Sequence, residues 1–235
     1  MGLDRDAEAV ATLGAELEQS RHEAMTLACD VTDRDACRAA IEAAQERFGR
    51  IDVVINNAGL SHRSPFADTD IAVLRRVIDV NLFGAIHLTH PAMAALRQSR
   101  GLVVAISSVA GYSPLIARTG YAASKHALHG LFESLRTEVA ADGVDVLLVC
   151  PSFIATRIDR NALGATGGAA AHAQVVVGQP LDARDVAEQI FAACERSRRL
   201  LLIGRTARAA WWLSRFAPAL YERIMARRLR AEMQP

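Results

Sequence analysis

Apolar residues in this chain fall in short unbroken runs, separated by longer stretches of helical period. The runs are EAMTLAC (23–29), IDVVIN (51–56), GLVVAIS (101–107), GVDVLLVC (143–150) and RLLLIG (199–204). Each is rich in Val, Ile or Leu and does not alternate with polar residues. A strand covered on both faces needs apolar side chains on both, so these runs read as buried strands. Amphipathic segments lie between them at 5–18, 33–48, 69–97, 119–141 and 183–197. TDRDAC (32–37) and DARDVA (182–187) are acidic starts suited to helix N-termini, where side-chain oxygens meet free N–H groups. Strand–helix alternation predicts an α/β fold, a doubly wound parallel sheet with helices on both faces.

Two segments stand outside the alternation. Residues 157–180, rich in Gly and Ala after a strand, read either as a surface loop or as a lid over a site at the strand's carboxyl end. The tail, 205–235, sets Arg205, Arg208, Arg215, Arg223, Arg227, Arg228 and Arg230 against Glu222 and Glu232. Trp211, Trp212, Leu213, Phe216, Leu220, Tyr221, Ile224 and Leu229 are interleaved with them. Such a basic amphipathic helix packs on protein or lies on a membrane surface. The expected division is a domain at 1–204 and a helical tail at 205–235.

Composition narrows the function. Net charge is +1, too small for a bulk field that attracts nucleic acid. The start, MGLDRDAEAV, has no apolar core and does not resemble a signal peptide. No apolar run reaches the roughly 18 residues of a membrane span. A cytoplasmic protein is expected, or one held peripherally on a membrane. Cys29, Cys37, Cys150 and Cys194 are scattered without CxxC spacing, so neither zinc nor a disulfide framework is expected. Cys29 and Cys150 end apolar runs and read as small buried hydrophobes. His87 and His90, and His126 and His129, have metal-like spacing but no third ligand beside them; no metal is expected. GxSxG is absent around Ser107, Ser108 and Ser113, against a serine hydrolase.

Of the 27 Lys and Arg residues, one is lysine: Lys125, in GYAASKHALHG (120–130). Tyr121 lies four residues before it, on the same helix face. Upstream, one buried run ends at Ser107–Ser108 and another at Asn56-Asn57-Ala58-Gly59. Strand carboxyl ends are where such sheets bind ligands.

Ser108, Tyr121 and Lys125, with NNAG (56–59) and DVNLFG (79–84), resemble the short-chain dehydrogenase/reductase family. The resemblance runs from residue 4 to about 204, and implies a Rossmann-like fold, an alcohol–ketone oxidoreductase and a nicotinamide cofactor. Loop and basic tail are similar in layout to the membrane-associated branch containing the 11β-hydroxysteroid dehydrogenases. The resemblance implies that Tyr121 is the general acid–base. Lys125 would favour its phenolate and hydrogen-bond the nicotinamide ribose. Ser108 would hold the substrate oxygen, and Asn81 a water linking Lys125 to solvent. A compact ammonium fits between phenol and ribose where a guanidinium fork does not, which accounts for the single lysine.

On the cofactor side the resemblance implies that Asp30 accepts from the adenine amino group and that Val31 packs on the ring. Asp30 has an alternative reading, as the residue preceding a helix capped by Thr32 or Asp33. Asn57, Ala58 and Gly59 would line the adenosine ribose. Pro151, the Ile154 backbone and Thr156 would meet the carboxamide, with Ser152 in place of the family's glycine. Asp4 would hold the ribose diol of NAD and Arg5 the extra phosphate of NADP, a slight balance toward NAD.

The family begins with a strand and a glycine-rich turn that has no counterpart here. GLDRDAEAV reads as the end of the second strand entering its helix, so the chain is expected to be N-terminally truncated. It would lack the first β-α unit and most of the second strand, roughly 30 residues. IDVVIN would then lose a hydrogen-bonding partner and apolar cover. Either the working protein is longer, or this form is a non-catalytic binding or partner subunit. Residues near Ser61–Phe66, Val109–Ile116 and 157–180 would form the pocket; they are mainly apolar or small, so a lipophilic alcohol or ketone is expected. The helices at 69–97 and 119–141 would form a homodimer or homotetramer interface.

Overall fold

The computed structural model describes residues 1–19, 23–156, 158–171 and 175–228. Leu229, Arg230 and Glu232 of the tail lie outside them, as do Arg157 and 172–174 of the loop. In chain order the elements are β1 (Gly2–Asp4), α1 (Ala7–Gln19), β2 (Thr26–Ala28), α2 (Arg34–Phe48), β3 (Val53–Asn56), α3 (Ile71–Ile78) and α4 (Gly84–Ser99). Then come β4 (Leu102–Ile106), α5 (Thr119–Val139), β5 (Asp145–Pro151), α6 (Ala183–Glu195), β6 (Leu200–Ile203), α7 (Arg205–Phe216) and α8 (Pro218–Arg228). Each of the five apolar runs contains a strand, and every strand pair is parallel. The two acidic starts are caps. Asp33 accepts from the N–H groups of Asp35 and Ala36, and Asp182 from those of Arg184 and Asp185.

The single helix expected over 69–97 is two. A π-helical turn, Asp79–Phe83, separates α3 from α4. One extra residue enters the turn, so the Gly84 N–H bonds to the Asp79 carbonyl, five residues back. Gly84 is needed where α4 begins: a Cβ there would lie 2.6 Å from Val31 Cγ2.

Helices α2, α4 and α5 cover one face of the sheet, burying Ile41, Leu88, Leu96, Phe132 and Leu148 in one cluster. On the opposite face α6 buries Val104, Leu147, Val149 and Ile203. The strands pair in two groups, β1 with β2 and β3-β4-β5-β6. Leu102 N–H donates to Asp52 O at 2.8 Å, so Asp52, Val54 and Asn56 turn their backbone groups to β4. Alternation then directs the N–H and C=O of Val53 and Ile55 the other way. The Gly2 N–H donates to Met25 O and Asp4 O accepts from the Cys29 N–H, so Leu3 likewise turns from its partner. A cavity of about 730 Å³, lined by Leu3 of β1 and Val53 to Asn56 of β3, lies between these edges. Val53 and Ile55 are 45% and 54% exposed.

The tail helices pack on protein. Tyr221, Met225 and Ala210 share a cluster with Tyr112, Leu115 and Ile116 of the turn after β4, and with Val175 and Val177. Tyr112 Oη donates to Ala207 O at 2.8 Å, and Trp211 meets the Tyr112 ring edge-on at 4.9 Å. Trp212 and Phe216 stack with ring centroids 5.4 Å apart on the outward side. Among the described residues no helix is long and apolar enough to cross a membrane.

Candidate active site

Strand β4 ends against Ser107, whose N–H extends the ladder to Val149 O at 2.8 Å. Ser108 follows in extended backbone, and its Oγ accepts from the Ala110 N–H at 3.2 Å, opening a short 3₁₀ turn. Tyr121 lies in the first turn of α5. A histidine anchors that start: the Gly120 N–H donates to His62 Nε2 at 2.9 Å. Nε2 therefore carries no proton. Burial, then the Arg118 guanidinium, hold the His62 pKa down at about 4.

Lys125, one turn beyond Tyr121, is 3% exposed. Its Nζ donates to Ile106 O at 2.7 Å and lies 5.8 Å from the centre of the Tyr121 ring. Burial lowers its pKa to about 8. The Tyr121 pKa is raised, first by burial; the Ser108 hydrogen bond and the Arg118 guanidinium pull it down, and Cys150 pushes it up. Ser108, Tyr121 and Lys125 are thus brought together at the carboxyl end of β4.

Asn81, inside the π-helical turn, is a clamp. Its Nδ2 donates to Leu60 O at 2.9 Å and Ser124 Oγ at 2.8 Å, and its Oδ1 accepts from the Leu60 N–H at 2.7 Å. Both amide protons are engaged, so the water expected there would have to meet some other atom of Asn81. Ser124 Oγ passes the link to Tyr121 O at 2.8 Å. The clamp fixes the NNAG loop to the helix that carries the tyrosine.

The loop after β5 docks over this group. Arg63 N–H donates to Leu163 O at 2.7 Å, Leu163 N–H to Ser61 O at 2.9 Å, and Asp70 N–H to Ala165 O at 2.9 Å. The Arg63 side chain, 5% exposed, pairs with Asp159. Leu163 then packs in one apolar cluster with Leu60, Val73, Val77 and Tyr121.

Asp4, Arg5, Asp30, Val31, Asn57, Ala58 and Gly59 all line the 730 Å³ cavity. Asp33 is the cap, as the alternative reading of Asp30 has it, and Asp30 precedes the helix while lining the cavity. Its Oδ1 takes the Thr32 N–H at 2.9 Å and Thr32 Oγ1 at 2.8 Å, which lowers its pKa. Val31 differs from expectation in part. Its side chain meets the first turn of α4, and its carbonyl lies 2.9 Å from His87 Nδ1. Asp4 Oδ1 is engaged by the Asp6 N–H at 3.0 Å. Asn56 Oδ1, buried in the same wall, has no hydrogen-bond partner. An anionic carboxylate, small residues and an orphan acceptor fit the polar adenosine end of a dinucleotide. The glycines of the lining are Gly59 and Gly84, which form no strand-to-helix phosphate turn.

Pro151, Ile154 and Thr156 lie outside that lining, as do Asn81, Ser108, Tyr121 and Lys125; Leu60 and Val80 line the cavity and pack beside Tyr121. Pro151 is the last residue of β5, Ile154 bridges Leu181, and Thr156 N–H donates to Ile154 O at 2.9 Å. Ser152 is accommodated by Gly204, at φ 94°, where a Cβ would lie 2.5 Å from Ser152 Oγ. His62, Arg63 and Arg118 were not legible as site residues. Their one sequence signal is charge inside loops that fold inward.

The matches to known proteins decide the family. A family model described as short chain dehydrogenase matches residues 1–166. The chain belongs to the short-chain dehydrogenase/reductase family of oxidoreductases. It is 36% identical to dehydrogenase/reductase SDR family member 7B of Bos taurus, over 97% of this chain and 73% of that protein. It is 35% identical to an SDR family protein 7-like dehydrogenase/reductase of Anopheles gambiae, over 88% and 66%. A short-chain dehydrogenase from Streptomyces avermitilis superposes with TM-score 0.77 at 30% identity, covering 98% of this chain and 88% of that one. A Burkholderia phymatum family member in complex with NAD shares the fold at TM-score 0.82 and 24% identity, over 93% and 84%. The chain thus spans between 66% and 73% of the length of those two curated relatives.

Proposed function

We propose that the protein interconverts an alcohol and a ketone or aldehyde with NAD or NADP. The observation that carries this reading is buried Lys125, one helical turn beyond Tyr121, with its Nζ 5.8 Å from the centre of the Tyr121 ring and bonded to the Ile106 carbonyl at the end of β4. The cofactor supplies or takes the hydride when bound. Tyr121, kept protonated by burial, gives its proton to the substrate oxygen in reduction and recovers it in oxidation. Ser108 orients that oxygen. Lys125 exchanges protons and holds the nicotinamide ribose, with Asn81 fixing the helix beneath. Asp30, Val31, Asn57, Ala58 and Gly59 hold the adenosine. Pro151, Ile154 and Thr156 hold the carboxamide. Asp4 favours NAD, against Arg5, Arg75 and Arg76 around the adjoining cavity.

The substrate is a lipophilic alcohol or ketone. Tyr112, Leu115, Ile116, Val175 and Val177 form an apolar wall beside the site. Residues 1–204 act as the dehydrogenase unit and the tail as its cover. Trp212, Phe216 and Leu220 are 62%, 75% and 49% exposed beside arginines, which supports peripheral membrane contact of an otherwise cytoplasmic protein. Helices α3, α4 and α5 form the contact of a homodimer or homotetramer. The test is a titration of the 235-residue chain with NADH and NADPH, followed by turnover on a panel of apolar ketones. Saturable micromolar binding with turnover abolished in Tyr121→Phe supports the reading. A flat titration favours the non-catalytic partner subunit.

A further inference from the structure

Cys29 and Cys37 are eight residues apart in the chain and meet in the fold. Cys29 follows β2 at the cavity wall, and Cys37 lies in the first turn of α2. Their sulfur atoms are 4.0 Å apart. Both backbones are held: the Cys29 N–H donates to Asp4 O at 2.8 Å and the Cys37 N–H to Asp33 O at 3.0 Å. The Asp33 cap sets where α2 begins and so brings Cys37 back beside Cys29. Cys37 is 0% exposed, while Cys29 is 5% exposed and lines the 730 Å³ cavity. Cys37 Sγ also lies 3.6 Å from Val31 O and 4.0 Å from Asp30 O. Both thiols are free, and neither belongs to the group around Tyr121. No CxxC spacing marks the pair; the turn at 30–36 makes it.

We propose that Cys29 and Cys37 are a redox-active dithiol, which closes to a disulfide by exchange with a low-molecular-weight disulfide such as oxidised glutathione. This goes beyond the alcohol–ketone chemistry and does not depend on it. A disulfide bond is about 2.0 Å long, so the sulfurs must approach by roughly 2 Å. With both backbones held, rotation of the two side chains supplies that motion. The reagent enters through the cavity, where Cys29 is presented. The Cys29 thiolate attacks one sulfur of the small disulfide, and a first small thiolate leaves. The Cys37 thiolate then attacks the Cys29 sulfur of the mixed disulfide, and a second small thiolate leaves. Two electrons pass from the chain to the small disulfide, and the two thiol protons end on the two small thiols. Burial, with the Asp30 and Asp33 carboxylates behind it, raises both thiol pKa values, that of Cys37 to about 12. Exchange therefore runs through a small thiolate fraction and is slow near neutral pH. In the closed form Cys37 Sγ turns from the Val31 carbonyl toward Cys29. The state of the pair is thereby felt by Asp30 and Val31, which line the cavity between them.

The test needs neither nicotinamide cofactor nor substrate, so an inactive chain still reports. The folded chain is equilibrated with reduced and oxidised glutathione near pH 8.5, roughly where an ordinary thiol is half ionised. Free thiols are then blocked and the chain is digested with trypsin. Arg34 lies between the two cysteines, so their disulfide appears as a pair of linked peptides. The expected product is that linked pair, about 2 Da lighter than the two thiols and returned to them by dithiothreitol. Relative to the mixed disulfide at Cys29, the linked form should be about tenfold or more higher in the folded chain than in urea, because the fold holds the sulfurs together. In Cys37→Ser the link is lost and glutathione stays on Cys29. Half-buried Cys194 reports that the reagent is active. Glutathione on Cys194 with Cys29 and Cys37 unmodified overturns the proposal. So does a linked-to-mixed ratio no higher when folded than in urea. If Cys37→Ser does not fold, the digest of the parent chain decides alone by the same two outcomes. Failure of the proposed reaction would appear separately, as a flat cofactor titration with the link intact.

Discussion

Strands β3 and β4 are neighbours in one ladder and are built from nearly the same residues, VVIN and LVVAI. Val103 and Val104 of β4 are 0% exposed, while Val53 and Ile55 of β3 are 45% and 54% exposed. β4 is paired on both edges and packed under α5 and α6; β3 is paired on one edge, and its other edge faces the cavity. Composition states a strand's demand for cover, and the neighbours decide whether it is met. The difference separates two halves of the molecule. Ser108, Lys125 and the proposed acid–base Tyr121 stand on the closed half, beyond the end of β4. The expected adenosine residues stand on the open half.

Substitutions can break or sharpen this contrast. The largest effect is expected at the closed half's chemistry: Tyr121→Phe should lower kcat by roughly 100-fold or more. Lys125→Arg should lose a comparable share although charge is kept, because the Ile106 carbonyl receives a compact ammonium in a buried slot. Near-normal turnover in either variant would remove the chemistry from this helix. Next comes the closed core. Phe132→Ala, at a fully buried site, should cost about 3–5 kcal/mol in denaturant unfolding.

His62 adds a pH signature of roughly 3 kcal/mol, from its depressed pKa. Its folded pKa, about 4, lies below the unfolded 6.5. Its contribution is therefore full above pH 6.5 and is lost as pH falls toward 4. His62→Asn should flatten that part of the stability profile relative to the parent; parallel profiles would contradict the buried neutral ring. Smallest is the open edge. Ile55→Ala should change unfolding free energy by less than about 0.5 kcal/mol, an order below Phe132→Ala. A cost of several kcal/mol would show that β3 is covered.

Much of this was legible before the structure. The five apolar runs located five strands because buried parallel strands leave an unalternated signature. Asp33 and Asp182 located two helix starts because capping needs an acceptor there. Ser108, Tyr121 and Lys125 converge because a strand end and one helix turn fix their spacing. Other features were not readable. The π-helical turn changes one hydrogen-bond register without changing apolar periodicity, so 69–97 read as one helix. Asn81's partners, Leu60 and Ser124, lie 21 and 43 residues away. Arg118 and Arg63 have the composition of surface residues, and only the docking of loops over them makes them internal. The open edge of β3 was anticipated from the sequence. The separation of the cavity from Tyr121 by Leu60 and Val80 was not.

Native-state hydrogen exchange tests the contrast most directly, since it reads the two strands in one experiment. The account predicts slow exchange for the amides of Val103 to Ile106 and Val146 to Val149, and exchange faster by orders of magnitude at Val53 and Ile55. Equal protection across β3 and β4 would contradict it, because the backbone groups of Val53 and Ile55 would then be paired.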